Sequence, residues 1–129
     1  MNDKALREHL GKLLTGSEAH IDWKSAVDDM PPKLRGAKLL GSPHTLWELL
    51  EHARIAQWDI LEFSRNPKHV SPDSPSGYWP GSAAPPNDAA WDKSVKAFEA
   101  DLDAMAKLVA NPETDLFAPI LHGSGQTVL

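Results

Sequence analysis

Apolar residues along this chain recur three and four positions apart, the period of a helix face, and nowhere settle into the alternation of a half-buried strand. Leu6, Leu10, Leu13 and Leu14 follow that spacing and Gly16 supplies a stop, which predicts a first helix over about 2–15. Asp22 offers an N-cap for a short helical piece in which Trp23, Val27 and Met30 share a face, ended by Pro31-Pro32. From there to Gly41-Ser42-Pro43 the pattern reads as loop.

The next helix is marked at both ends. Thr45-Leu46-Trp47-Glu48 matches a capping box, in which the Thr and Glu side chains satisfy each other's orphan backbone donors. Leu46, Leu49, Ala53, Ala56, Ile60 and Phe63 then line one stripe, with Glu51, Arg54 and Glu62 placed away from it. Arg65-Asn66-Pro67 supplies a basic last turn and a proline stop. In the third long helix Trp91, Val95, Phe98, Leu102, Met105 and Val109 form the seam, opposite Asp92, Lys96, Glu99, Asp103 and Lys107, and Asn111-Pro112 ends it.

Two long helices with one narrow apolar seam each pack best against other helices, nearly antiparallel, so the expected architecture is an all-α bundle. Residues 66–87 between them are rich in Pro, Ser and Gly, with an aromatic centre at Gly77-Tyr78-Trp79-Pro80. Loops of this length are usually functional or disordered. Two readings stand: a crossover in which Tyr78 and Trp79 cover the end of the bundle, favoured by the area aromatic rings bury, and a ligand-facing lid. The segment from Gly123 to Leu129 resembles a cap and the first turn of a fourth helix that the sequence as given does not complete. A bundle short of one helix exposes an apolar groove, which predicts a homodimer.

Composition narrows the chemistry. A length of 129 residues fits one domain, and 41% hydrophobic with 24% charged residues is an ordinary globular balance. No apolar run reaches the ~20 residues of a membrane span, and the charged N-terminus lacks the apolar core of a signal peptide, so no membrane partner and a cytoplasmic location are expected. A net charge of −5 with scattered Lys and Arg argues against nucleic acid. The absence of cysteine removes disulfides, thiolate nucleophiles and Cys-type metal sites, so any metal must sit on His, Asp or Glu.

Among the six histidines, His52 lies on the flank of the second long helix's apolar stripe, one turn from Leu49 and Ala56 and on the same edge as Glu48 and Asp59. A neutral imidazole there can serve as metal ligand or general base, or be an ordinary boundary residue paired with an acid. The capping box accounts for Glu48, and Asp59 reads as solvated surface. His44 is eight residues from His52, ~12 Å along a helix, too far to share one metal. His9 flanks the first stripe, while His20, His69 and His122 sit in or beside loops. Ser42 and Ser124 lack a nucleophile-elbow setting, and Gly123-x-Gly125 falls short of a phosphate-binding fingerprint.

The string from Leu46-Trp47-Glu48-Leu49-Leu50-Glu51-His52 through Leu61 is similar to the second helix of the DinB-like superfamily. The similarity continues through Arg65-Asn66-Pro67, Gly77-Tyr78-Trp79-Pro80, the third helix and the terminal Gly-Ser-Gly-Gln-Thr segment. That family, named for DNA-damage-inducible genes and unrelated to the polymerase of the same name, is a four-helix bundle. Its members typically bind a divalent metal through three histidines. The resemblance implies one DinB-like domain over 1–129, its fourth helix apparently cut off, with His52 at the family's ligand position on the second helix. The other two ligands form a His-x-x-x-His pair on the fourth helix, and no such pair occurs in these residues. A zinc, nickel or iron cofactor is therefore expected only if that pair lies beyond Leu129. Three imidazoles and an open position suit Lewis-acid chemistry on a small molecule. The resemblance implies a thiol-dependent transferase or isomerase or a metal-dependent hydrolase, the thiol supplied externally. The competing expectation is a non-catalytic helical binding or assembly module in which His52 is structural.

Overall fold

The computed structural model describes residues 3–15, 27–38 and 40–129. Three α-helices organise them: α1 (Lys4–Thr15), α2 (Leu46–Arg65) and α3 (Asp88–Ala110), with single 3₁₀ turns at Pro32–Leu34 and Ser76–Tyr78. The only β pairing among the described residues is an isolated bridge between Lys38 and Thr45, so the chain is all-α there. No described helix is long and apolar enough to cross a membrane. The short helical piece expected from Asp22 lies outside the described residues except for its end, where Val27 and Asp28 are helical.

The helix ends form as their sequences dictate. Thr45 Oγ1 accepts from the Glu48 amide at 3.1 Å while Glu48 Oε1 accepts from the Thr45 amide at 2.9 Å, closing the capping box that starts α2. Asn87 caps α3 by accepting from the Ala90 amide at 2.7 Å. The C-caps are Asn66 and Asn111, each followed by proline.

α3 packs against both α1 and α2. Four of the six residues of its predicted seam, Trp91, Val95, Met105 and Val109, are buried, while Phe98 and Leu102 are only half-buried. Two apolar clusters result. Val27, Trp47, Leu50, Trp91 and Val95 form one, and Leu61, Met105, Val109 and Leu116 form the other, onto which Leu6, Leu10 and Leu14 of α1 pack. Residues 47 and 50 meet 91 and 95, whereas 61 meets 105 and 109, so α2 and α3 run in the same direction. That corrects the antiparallel expectation for this pair. The crossover formed by residues 66–87 is what permits a parallel arrangement, since only a long connection can return the chain to the start of α2.

The buried face of α2 also differs from the expected stripe. Trp47, Leu50, Glu51 and Leu61 are buried, while Leu49 and Ile60 remain 38% and 58% exposed. The seam that meets α3 passes through 54 and 57, where Arg and Gln stand, so hydropathy alone selects the neighbouring face. Those polar groups are engaged rather than excluded. Gln57 Nε2 donates to the Phe98 carbonyl at 2.8 Å, the Ser94 hydroxyl donates to Glu51, and Arg54 pairs with the same carboxylate. A buried carboxylate held this way sets helix register more than it adds net stability, but breaking one partner leaves the other unpaired.

Residues 123–129 do not form a helical turn. They bend back on the second cluster, with the Ile120 amide donating to the Gln126 carbonyl and the Leu129 amide to that of Leu116.

Arg7 joins α1 to the far end of α3. Its Nε and one Nη2 hydrogen reach the two oxygens of Asp3, and its other donors reach the carbonyls of Val109, Asn111 and Thr114 at 2.6–3.0 Å. All five guanidinium donors are used, one on the Val109 carbonyl in the last turn of α3 and two on carbonyls of the turn that follows it. Arg7→Ala should therefore destabilise the domain by about 2–4 kcal/mol, with Arg7→Lys recovering only a minor part. Urea-denaturation midpoints check this, and a loss below ~1 kcal/mol for the alanine variant would contradict the cap.

Candidate functional site

His52 sits on the second turn of α2, half-buried, on the face turned away from α3. Its Nδ1 lies 2.8 Å from the backbone carbonyl oxygen of Tyr78. A carbonyl can only accept, so Nδ1 carries the proton and the neutral ring keeps its lone pair on Nε2. The Trp79 indole stacks on the same imidazole, with centroids 3.9 Å apart and planes 7° from parallel. His44 stacks on Trp79 as well, at 4.0 Å and 20°. Two imidazoles so close to one indole centroid would collide on a single face, so they take opposite faces. The indole thus stands between His44 and His52, which agrees with discarding that pair as joint metal ligands.

Two turns further along, Asp59 collects several donors. Oδ1 accepts from His69 Nε2 and Oδ2 from the Tyr78 hydroxyl, both at 2.7 Å, and Ser71 adds a side-chain hydrogen bond. Burial pushes this carboxyl up, but the bonds from Ser71, His69 and Tyr78 outweigh it and hold Asp59 below the ordinary 3.8. The same contact holds the Tyr78 phenol above its usual 10.0, because its proton is bound to a carboxylate. The His69 side chain is only 5% exposed and meets Trp58 edge-on at 5.0 Å. A cleft of about 330 Å³ opens beside Asp59 and Ser71, walled by Ile60, Phe63 and Gln126.

Asp59 is therefore no solvated surface residue, and His69 is no idle loop residue. Tyr78 and Trp79 lie along the flank of α2 rather than over the end of the bundle. The seven-residue spacing of His52 and Asp59 places both on one helix face and could have linked them. Nothing in the spacing of the loop residues reveals that His69 and Tyr78 return to that face. Glu48 is held by the Thr45 cap, whose backbone amide is the main reason its carboxyl lies below the usual value. His9 is exposed on α1, His122 donates through Nε2 to the Phe63 carbonyl, and His20 lies outside the described residues.

Among the described residues no group of three or more His, Asp or Glu side chains converges as a metal site. His52 fits one ligand position: a ring whose distal N–H is bound to a backbone carbonyl has the second-sphere arrangement common to metal-bound histidines. Among the described residues no set of three ligands includes it, so no reaction step through a metal follows from them. No protein-family model, curated protein or solved structure matches the chain.

The direction of the Asp59 shift fixes a pH dependence. A carboxyl whose folded value lies below 3.8 contributes stability above that pH, and the contribution is lost as pH falls through the folded value. Asp59→Asn should lower stability near neutrality and flatten the acid limb of a stability-versus-pH curve below about pH 4. Parallel curves for the two proteins between about pH 2 and 6 would refute the assignment.

Proposed function

We propose that this domain is a divalent-metal-binding helical unit of the DinB-like type, in which His52 Nε2 is one ligand and the remaining donors come from residues outside the set described above. The observation that supports this most is the Tyr78 carbonyl on His52 Nδ1, which leaves Nε2 as the lone-pair nitrogen. The parallel α2–α3 pair with its long crossover agrees with a bundle that is not a simple up-and-down array. A bound metal would supply Lewis-acid chemistry toward a small substrate, with a thiol or water as the second reactant. Within the chain, Trp79 shields one face of His52 and the Tyr78 carbonyl orients its ring. Homodimerisation belongs to the same reading, because Leu49 and Ile60, three turns apart on α2, leave an apolar strip uncovered.

One observation favours a second reading. His52 and Asp59 both fasten the crossover to α2, so the histidine has a structural duty with or without metal, as expected of a non-catalytic binding or assembly module. Metal content and fold separate the two. The first reading expects the purified protein to hold about one divalent ion per chain by elemental analysis, and His52→Ala to lose it while keeping its helical circular dichroism. Metal-free wild-type protein after incubation with zinc or nickel, or equal metal in both proteins, would exclude His52 as a ligand. A large loss of stability in His52→Ala would then identify it as a fastening of the loop.

A further inference from the structure

We infer that Asp59 is a positioning residue for His52, acting through the two ends of Tyr78. This rests on the role proposed for His52 and extends it to the group that presents the ring. His52 and Asp59 lie seven residues apart, two turns or ~10.5 Å along the same face of α2. Tyr78 is laid along that face, its hydroxyl donating to Asp59 Oδ2 at 2.7 Å and its carbonyl accepting from His52 Nδ1 at 2.8 Å. His69 Nε2 holds the other carboxylate oxygen, so Asp59 is fixed from two sides and cannot swing away from the phenol. The backbone before the tyrosine is also confined: a Cβ on Gly77 would stand 2.7 Å from Pro72 Cβ, so the turn closes on itself with no room for a side chain. Trp79, next in sequence, lies flat on the imidazole and sets its plane.

Each part has a separate effect. The stack fixes the plane of the ring, the Tyr78 carbonyl fixes which nitrogen carries the proton, and Asp59 with His69 fixes the carbonyl. Released from Tyr78, the ring would exchange between tautomers and present N–H as readily as a lone pair to anything approaching Nε2.

The test reads the tautomer directly, by two-bond ¹⁵N–¹H correlation of the His52 ring in the intact, chelator-treated protein at about pH 8.5, roughly two units above the ordinary histidine value. The Nδ1–H form is expected to predominate in the native protein. Tyr78→Phe keeps the ring and the backbone but removes the hydroxyl, and Asp59→Ala removes its acceptor. Both should move the tautomer ratio about fivefold or more toward Nε2–H, the weight of one net hydrogen bond. Asn87→Ala, which weakens the cap of α3 at the far end of the crossover and removes no contact of Tyr78, Trp79, Asp59 or His69, should leave the ratio unchanged. A native ring already in the Nε2–H form, a ratio unmoved in both loop variants, or an equal shift in Asn87→Ala would each overturn the inference. Because no metal is present, failure here is distinct from failure of the ligand assignment, which is read from metal content.

Discussion

Because α2 and α3 point the same way, the chain must travel back along α2 before α3 can begin. α2 has 20 residues and so runs ~30 Å, a distance no tight turn can recover. The return path follows the flank of α2 that α3 does not cover. It is fastened at His52 and Asp59 on the way, and near its end the Thr45 hydroxyl donates to the Ala83 carbonyl at 2.5 Å. The cap residue that starts α2 thereby also fixes the approach to α3. Without the parallel pairing there would be no reason for Tyr78, Trp79 and His69 to lie against this helix.

The interface between the two helices is not purely apolar, and the polar groups within it are the ones that fix its register. Glu51 meets Ser94 and Gln57 meets the backbone at Phe98, a shared direction that hydrophobic contacts alone would allow to slide by a turn. Arg35 closes the upper end, its guanidinium 4.8 Å above the Trp91 ring and 3.6 Å from Asp88. A cation over an indole at a partly buried site contributes about 1 kcal/mol, while the Asp88 carboxylate is largely exposed and adds little. The start and the middle of the α2–α3 interface therefore combine packing with oriented polar contacts, while its far end at Leu61, Met105 and Val109 is apolar.

Local rules were sufficient wherever a feature depends on neighbours in sequence. The capping box at Thr45, the stops at Asn66-Pro67 and Asn111-Pro112 and the seam of α3 all fall in that class. The face of α2 did not, because eleven of its 20 residues are Leu, Trp, Ala, Ile or Phe and apolar side chains surround the helix. Its true seam includes Arg54 and Gln57, whose partners on α2 and α3 no hydropathy pattern reveals. His52 stands out in the sequence by its helix position, but the Tyr78 carbonyl on its Nδ1 and the Trp79 ring on its face come from the crossover and follow from no local pattern. Asp59 was misjudged because a carboxylate on a helix is ordinarily solvated, and its three donors come from a loop whose path depends on the tertiary fold. The segment after Gly123 shows the converse error: its glycines and Gln-Thr suit a helix start, yet Val128 is better accommodated against the Leu61 cluster in an extended tail.

Arg7 has a consequence for how the domain comes apart. Its hydrogen bonds to Val109, Asn111 and Thr114 span 102, 104 and 107 residues of sequence, and tie the first described helix to the end of the last. Held in this way, α1 is tied down close to its start, where a helix otherwise frays first. The α1 segment, only 12 residues long and marginal as an isolated helix, acquires the protection of the core, and the core cannot open near Met105 without releasing α1. Loss of structure is then all-or-none across this clasp, and amide protons in α1 exchange with solvent on the timescale of global opening rather than of a loose terminus. The same closure over so many residues makes folding wait on a long-range encounter, so a molecule rich in helix carries part of the slow search more familiar from sheet proteins.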